Sequence, residues 1–256
     1  MFTRLLIGLD GSPGADAALE QAIVLGRRFG ATLIVAHVRE RGWRKGGGGA
    51  NEGGGDGAMV ERARERVTAA GLKAEATLLD GDPDTELAEL AKGVDVVLVG
   101  RRGGTSRAGE LGATVSSLIK IAERCVIVCG AVPSPMNACA IAFDGRETSR
   151  RALDLAARFA SIAQSTVHVI HATIDSAAGL QVVGEAEAVL SLQGVAFVTH
   201  IEAGTPGEAV QRVVLRTKCD ALFAGAHVTH GRDSKVTVSH AEQILRHTDI
   251  PVVVQP

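Results

Sequence analysis

Residues 5–38, LLIGLDGSPGADAALEQAIVLGRRFGATLIVAHV, return without a gap as residues 139–172, CAIAFDGRETSRRALDLAARFASIAQSTVHVIHA. Asp10 falls on Asp144, Gly11 on Gly145, Leu19 on Leu153, Phe29 on Phe159 and His37 on His171. Each copy opens on a short apolar run that stops at Asp-Gly. Ala18, Ala22, Leu25 and Phe29 then follow at helical spacing, and a second apolar run ends in histidine. Such a run, helix and run is a strand–helix–strand unit. The halves match again downstream, Gly81 and Pro83 on Gly204 and Pro206, Asp95 and Gly100 on Asp220 and Gly225. The chain is therefore a tandem duplication. The junction is the Pro/Gly/Ser stretch GAVPSPMN (130–137), which sets two domains, 1–132 and 133–256.

Outward from the repeat, the first half continues with a charged amphipathic helix over 58–70, a strand AEATLLD and a helix over 84–92. A strand VDVVLVG, a helix over 114–123 and a fifth strand CVIVCG complete it. Apolar strands alternating with helices imply a parallel sheet covered on both faces. Right-handed crossovers make each half a doubly wound α/β domain with a five-stranded, mostly parallel sheet. Ligands of such sheets bind beyond the carboxyl ends of the strands, where the strand order reverses. Asp10, His37-Val38 and the loop after Gly100 all fall at such ends.

Composition narrows the class. The 256 residues exceed the usual ~100–150 of one domain, in keeping with two. Apolar residues make up 46%, but aromatics only 3% and tyrosine is absent, so the cores are aliphatic. A net charge of −2 gives no attraction to nucleic acid or anionic membrane. No run approaches the ~20 apolar residues of a membrane span, and the first apolar run meets Asp10 too early for a signal peptide. Four cysteines are too few for a disulfide framework or zinc ribbon, and Cys125 and Cys129 share an apolar strand where thiols act as small hydrophobes. The expected location is cytoplasmic.

The loop after the fourth strand, VLVGRRGGTSRAGELGATVS (97–116), carries Gly100, Gly103, Gly104, Gly109 and Gly112. Glycines let backbone N–H groups approach phosphate oxygens, and the helix beginning near Thr114 turns a positive dipole end to an anion. Thr114 and Ser116 suit capping or hydroxyl donation, and Arg101, Arg102 and Arg107 add cationic reach. The alternative is a plain strand-to-helix connection.

A strand ending in Asp-Gly-Ser, a second ending in His-Val, a Gly-Asp-Pro before the third helix and this loop resemble the universal stress protein family over essentially the whole chain. Its nucleotide-binding members carry G-x2-G-x9-G-[ST] after the fourth strand. Here Gly100-x2-Gly103-x9-Ala113-Thr114 keeps the spacing but has alanine for the third glycine, with Gly112 one residue early. The resemblance implies an ATP or AMP site, with or without Mg²⁺. It is formed by Asp10 and Val38 at the adenosine and by Gly100, Gly103, Ala113, Thr114, Val115 and Ser116 around the phosphates. At the same spacing the second half reads Gly225-x2-Val228-x9-Val238-Ser239. Branched valines disfavour open loop conformations, so one nucleotide site per chain is expected, in the first half.

Other motifs carry less. His227-x2-His230 with His240 lacks a third ligand of defined spacing, so no metal site is assigned. His37 and His171 read as hydrogen-bonded, half-buried histidines; no nucleophile accompanies them, and no catalytic residue is assigned. Asp82 and Asp84 flank Pro83 and suit a helix cap better than Mg²⁺. The run KGGGGANEGGGDG (45–57) has linker composition and no GK[ST], and reads as an inert tether in preference to a mobile flap over the site. The apolar fifth strands, 124–130 and 250–256, need covering; their mutual pairing across a pseudo-twofold axis is expected, an intramolecular pseudo-dimer compatible with a further homodimer. The leading function is a regulatory stress-response protein that binds an adenine nucleotide, hydrolyses it slowly at most and acts on an unidentified protein partner. The alternatives are a nucleotide-free interaction module and an adenine-nucleotide α-hydrolase, whose SGGxDS-like loop is replaced here by DGSPGAD.

Overall fold

A computed structural model of the protein describes residues 1–40, 52–103, 111–226 and 240–256, with 52–54 as backbone alone. The chain divides into two compact units, Met1–Pro133 and Ser134–Pro256. The first contains β1 (Arg4–Leu9), α1 (Pro13–Phe29), β2 (Thr32–Arg39), α2 (Glu52–Ala69), β3 (Ala74–Asp80), α3 (Pro83–Ala91), β4 (Val96–Gly100), α4 (Ala113–Ile121) and β5 (Cys125–Cys129). Its strands lie in the order β3-β2-β1-β4-β5, all pairs parallel. The second contains β6 (Cys139–Ala142), α5 (Glu147–Ala163), β7 (Val167–Ala172), α6 (Ser176–Leu192), β8 (Phe197–Glu202), α7 (Pro206–Thr217), β9 (Ala221–Gly225), α8 (His240–His247) and β10 (Val252–Gln255). Its order, β8-β7-β6-β9-β10, is the same topology, again parallel. Each unit is the doubly wound α/β domain expected.

The central strands are buried on both faces: Leu5, Leu6, Ile7, Val96, Val97 and Leu98 have no exposed surface. Each such side chain contributes roughly 1.5–3 kcal/mol by leaving water. In the second unit Phe159 and Phe223 meet edge to face at 5.2 Å in the same layer. On one face Arg66 of α2 bonds Asp16 and Glu20 of α1; on the other, Ser117 of α4 donates to Asp84 of α3. The Asp95–Asp220 match has a structural cause. Asp95 Oδ2 accepts from the Thr3 and Arg4 amides as β1 begins, and the Asp220 carboxylate accepts from the Asn137 and Ala138 amides before β6.

The structure corrects the linker reading for part of the glycine-rich run. α2 begins at Glu52, six residues before the expected start, so residues 52–57 are helical; residues 41–51 lie outside the described residues. Once a helix is nucleated each further residue adds a backbone hydrogen bond, so a strong segment can draw weak formers into its first turns. A Cβ added at Gly55 or Gly57 would meet nothing within 4 Å, so packing does not require glycine there.

Candidate functional site

In each unit the strand order reverses between the first and fourth strands. In the first unit, Asp10 and Gly100 flank that crevice. Gly11, at φ +76°, turns the chain out of β1 in a conformation that side chains rarely adopt. Asp10 Oδ1 accepts from the Ser12 amide at 2.9 Å, and Ser12 Oγ accepts from Ala15 N, capping α1. The next contact is made by absent side chains. A Cβ at Gly100 would stand 2.3 Å from Gly14 C, and one at Gly14 would stand 2.5 Å from Arg102 O. The end of β4 and the first turn of α1 thus touch backbone to backbone. Gly103 then passes so close to Asp10 that a Cβ there would lie 2.7 Å from Oδ2.

The chain next described after this loop is tied back to it, the Gly112 amide donating to Arg101 O at 3.1 Å. Gly112 is the N-cap of α4, with no side-chain cap. This corrects the expected capping by Thr114 or Ser116: Ala113 is the first helical residue and both hydroxyls lie inside the first turn. A glycine N-cap brings no acceptor to that turn, where backbone donors have no intrahelical partner. Val115 is buried. Val38 lies one residue beyond the last β1–β2 pair, Leu9 with His37, near the carboxyl end of β2. Asp10, Gly100, Gly103 and Val38 therefore converge on one end of the sheet. Gly104, Arg107 and Gly109 lie outside the described residues.

His37 donates Nδ1–H to Leu9 O at 2.7 Å, and His171 donates to Phe143 O at 2.8 Å. A carbonyl only accepts, so Nε2 holds the lone pair in each neutral ring. His37 Nε2 faces Asp56 of α2 at 3.7 Å, a contact the linker reading missed because helical structure was not expected there. Asp82 occupies the N-cap position of α3 without a side-chain cap bond. Asp84 accepts from Thr85 N and from Ser117, whose hydroxyl holds the carboxyl below its ordinary range. Among the described residues no three histidine, cysteine, aspartate or glutamate side chains are grouped to hold a metal. His227 and His230 lie outside them; all four cysteines are buried and none is in a disulfide, and burial pushes the Cys125 thiol up to about 12.

The second unit repeats the scaffold. Gly145 has φ +76°, and Asp144 Oδ1 accepts from the Arg146 amide at 3.0 Å. A Cβ at Gly225 would stand 2.6 Å from Ser149 N. At this end lies a cavity of about 70 Å³, lined by Asp144, His171 and His240 and walled by Ile170, Val210 and Ile244. It is about half the ~150 Å³ that holds a benzene-sized guest. Asp144 Oδ2 lies 3.7 Å from Arg146 Nε and 4.0 Å from His240 Nδ1. This cavity was not anticipated from the sequence, although Asp144 and His171 marked its place. Val228, Val238 and Ser239 are outside the described residues.

The family model for the universal stress protein family matches residues 1–130 and again 136–256. Universal stress protein Slr1230 of Synechocystis is 27% identical over 172 residues, 65% of this chain and 60% of that protein's length. The chain is similar in fold to a universal stress protein from Archaeoglobus fulgidus, at a TM-score of 0.82 and 21% identity, covering 98% of this chain and 95% of that one. It is also similar in fold to the functionally unknown protein PA1789 of Pseudomonas aeruginosa, at a TM-score of 0.71 and 16% identity, covering 99% and 92%. No helix among the described residues is long and apolar enough to cross a membrane.

Proposed function

The chain belongs to the universal stress protein family, and from that premise we propose that its first half binds an adenine nucleotide, ATP or AMP, as a regulatory rather than a catalytic ligand. The observation that carries the reading is the meeting of Asp10 and Gly103 at the β1–β4 crevice. A carboxylate suited to accept hydrogen bonds from ribose or the adenine amine stands beside a glycine that puts no Cβ between its backbone and a phosphate. The backbone of Val38 is suited to the base edge. The amides of Ala113, Thr114 and Val115, with the hydroxyls of Thr114 and Ser116, suit the phosphates at the positive end of α4. The Ala113 methyl occupies the position where the family pattern has glycine and narrows that approach. Val228 and Val238 in the second half support a single site per chain.

Mass spectrometry of the purified protein, with small molecules released by denaturation, tests this. ATP or AMP near one equivalent per chain is the expected result. A nucleotide-free preparation that also fails to take up added ATP, while correctly folded, would replace the reading with a nucleotide-free interaction module.

A further inference from the structure

In the second unit β8 ends the strand order, with β7 as its neighbour. His168 of β7 stands opposite Val198, and His200 of β8 stands opposite Ile170, so the two histidines lie diagonally on one face. Their rings stack at 27° with centroids 5.2 Å apart, and His168 Nδ1 is 3.0 Å from His200 Nε2. Arg216 of α7 places Nη2 3.3 Å from His200 Nδ1. A guanidinium can only donate, so His200 Nδ1 accepts. Neutral His200 then carries its proton on Nε2 and donates it to His168 Nδ1, leaving the His168 proton on Nε2. One arginine thereby fixes both tautomers.

The chain of bonds continues. Arg216 also binds Glu202 at 2.7 Å, Arg212 binds the same carboxylate at 3.2 Å, and Arg212 donates to the Ala203 carbonyl just beyond β8. The charged groups facing the pair are thus Arg212 and Arg216 from α7 and Glu202 from β8. β6 presents only Ala140 beside His168. α6 contributes Glu187, bonded to Thr199 of the opposite face. With both imidazoles neutral, Arg216 and Arg212 share Glu202, and Arg212 also faces Glu208 of α7. A proton on His200 removes the acceptor that Arg216 uses, and a proton on His168 removes the acceptor that His200 uses. Either adds a positive charge beside Arg216.

We propose that His168, His200 and Arg216 form an acid-sensitive clasp that fastens β8 to β7 at neutral pH and releases it in acid. Burial, then Arg216, holds His168 below the ordinary imidazole range. Burial, then His168 and Arg216, does the same for His200, with Glu202 opposing. For a base lowered in the folded state, the unfolded chain takes up protons first. The stabilisation is complete above the unfolded value of 6.5 and is lost as pH falls from there towards the folded values. β7 runs on to His171 and Ala172 in the cavity wall, which connects the clasp to the cavity at the carboxyl end of this unit's strands.

Amide hydrogen exchange on the full chain at pH 7.5 and pH 5, corrected for intrinsic rates, tests the clasp. Residues 197–202 should lose protection in acid relative to β1 and β2, the loss growing as pH falls below the unfolded imidazole value. The double substitution His168→Asn, His200→Gln should abolish that difference. An unchanged pH dependence in the double variant, or a loss spread evenly over both units, would overturn the proposal. Should that variant misfold, nitrogen-15 shifts of the unaltered protein decide. Both imidazoles should be Nε2–H tautomers at pH 7.5 and titrate below the ordinary ~6.5; Nδ1–H tautomers or ordinary titration would contradict it.

Discussion

At the carboxyl end of the strands of the first unit the loop after β4 reaches Asp10 through Gly103, whereas the matching position of the second half is Val228. The rest of the turn chemistry is shared. Gly11 and Gly145 adopt the same left-handed φ, and Asp10 and Asp144 accept the same amide two residues on. Gly100 and Gly225 both permit the end of a unit's fourth strand to touch the first turn of the first helix of the same unit, at Gly14 and Ser149. The difference separates two roles within one glycine motif. Its first glycine serves packing in both halves, whereas the second position is glycine only in the first half and the third is glycine in neither.

That separation predicts a ranked series. Gly103→Val, which copies the second half, puts a branched side chain where a Cβ alone would lie 2.7 Å from Asp10 Oδ2. It should cost roughly 1.5–3 kcal/mol per lost charge-assisted bond, a tenfold to hundredfold drop in ATP affinity by calorimetry. Gly100→Ala and Gly225→Ala should each destabilise by roughly 1–3 kcal/mol in denaturant, because each Cβ strikes backbone. A large loss in only one of them would break the claim that this glycine is common scaffold. Asp10→Ala and Asp144→Ala form a matched pair. Each forfeits one similar amide bond, about 1 kcal/mol of stability, but only Asp10→Ala should weaken ATP binding, by about tenfold. Gly55→Ala and Gly57→Ala should each raise stability by about 0.5–1 kcal/mol, having open space and better helix propensity.

The fold was legible because both signals that specify it are local and occur twice. Runs such as TLIVAHV are continuously apolar, as strands buried on two faces must be, and an aligned second copy checks every strand. The start of α2 was not legible, since four glycines in 52–57 outweigh any local helical signal and the His37–Asp56 contact is long-range. The site was legible in part. Asp10 and Gly100 stand out by position, but Gly14 reads as an ordinary helix residue, and its contact with β4 is visible only in three dimensions. The His168–His200 pair escaped for the same reason: 32 residues separate them, and neither lies in a motif.

Titration calorimetry of ATP into the intact chain, beside Gly103→Val and Asp144→Ala, addresses the central claim most directly. The account predicts one ATP per chain, lost or weakened at least tenfold in Gly103→Val and unchanged in Asp144→Ala. Two equivalents per chain, or binding that survives Gly103→Val and disappears in Asp144→Ala, would contradict it.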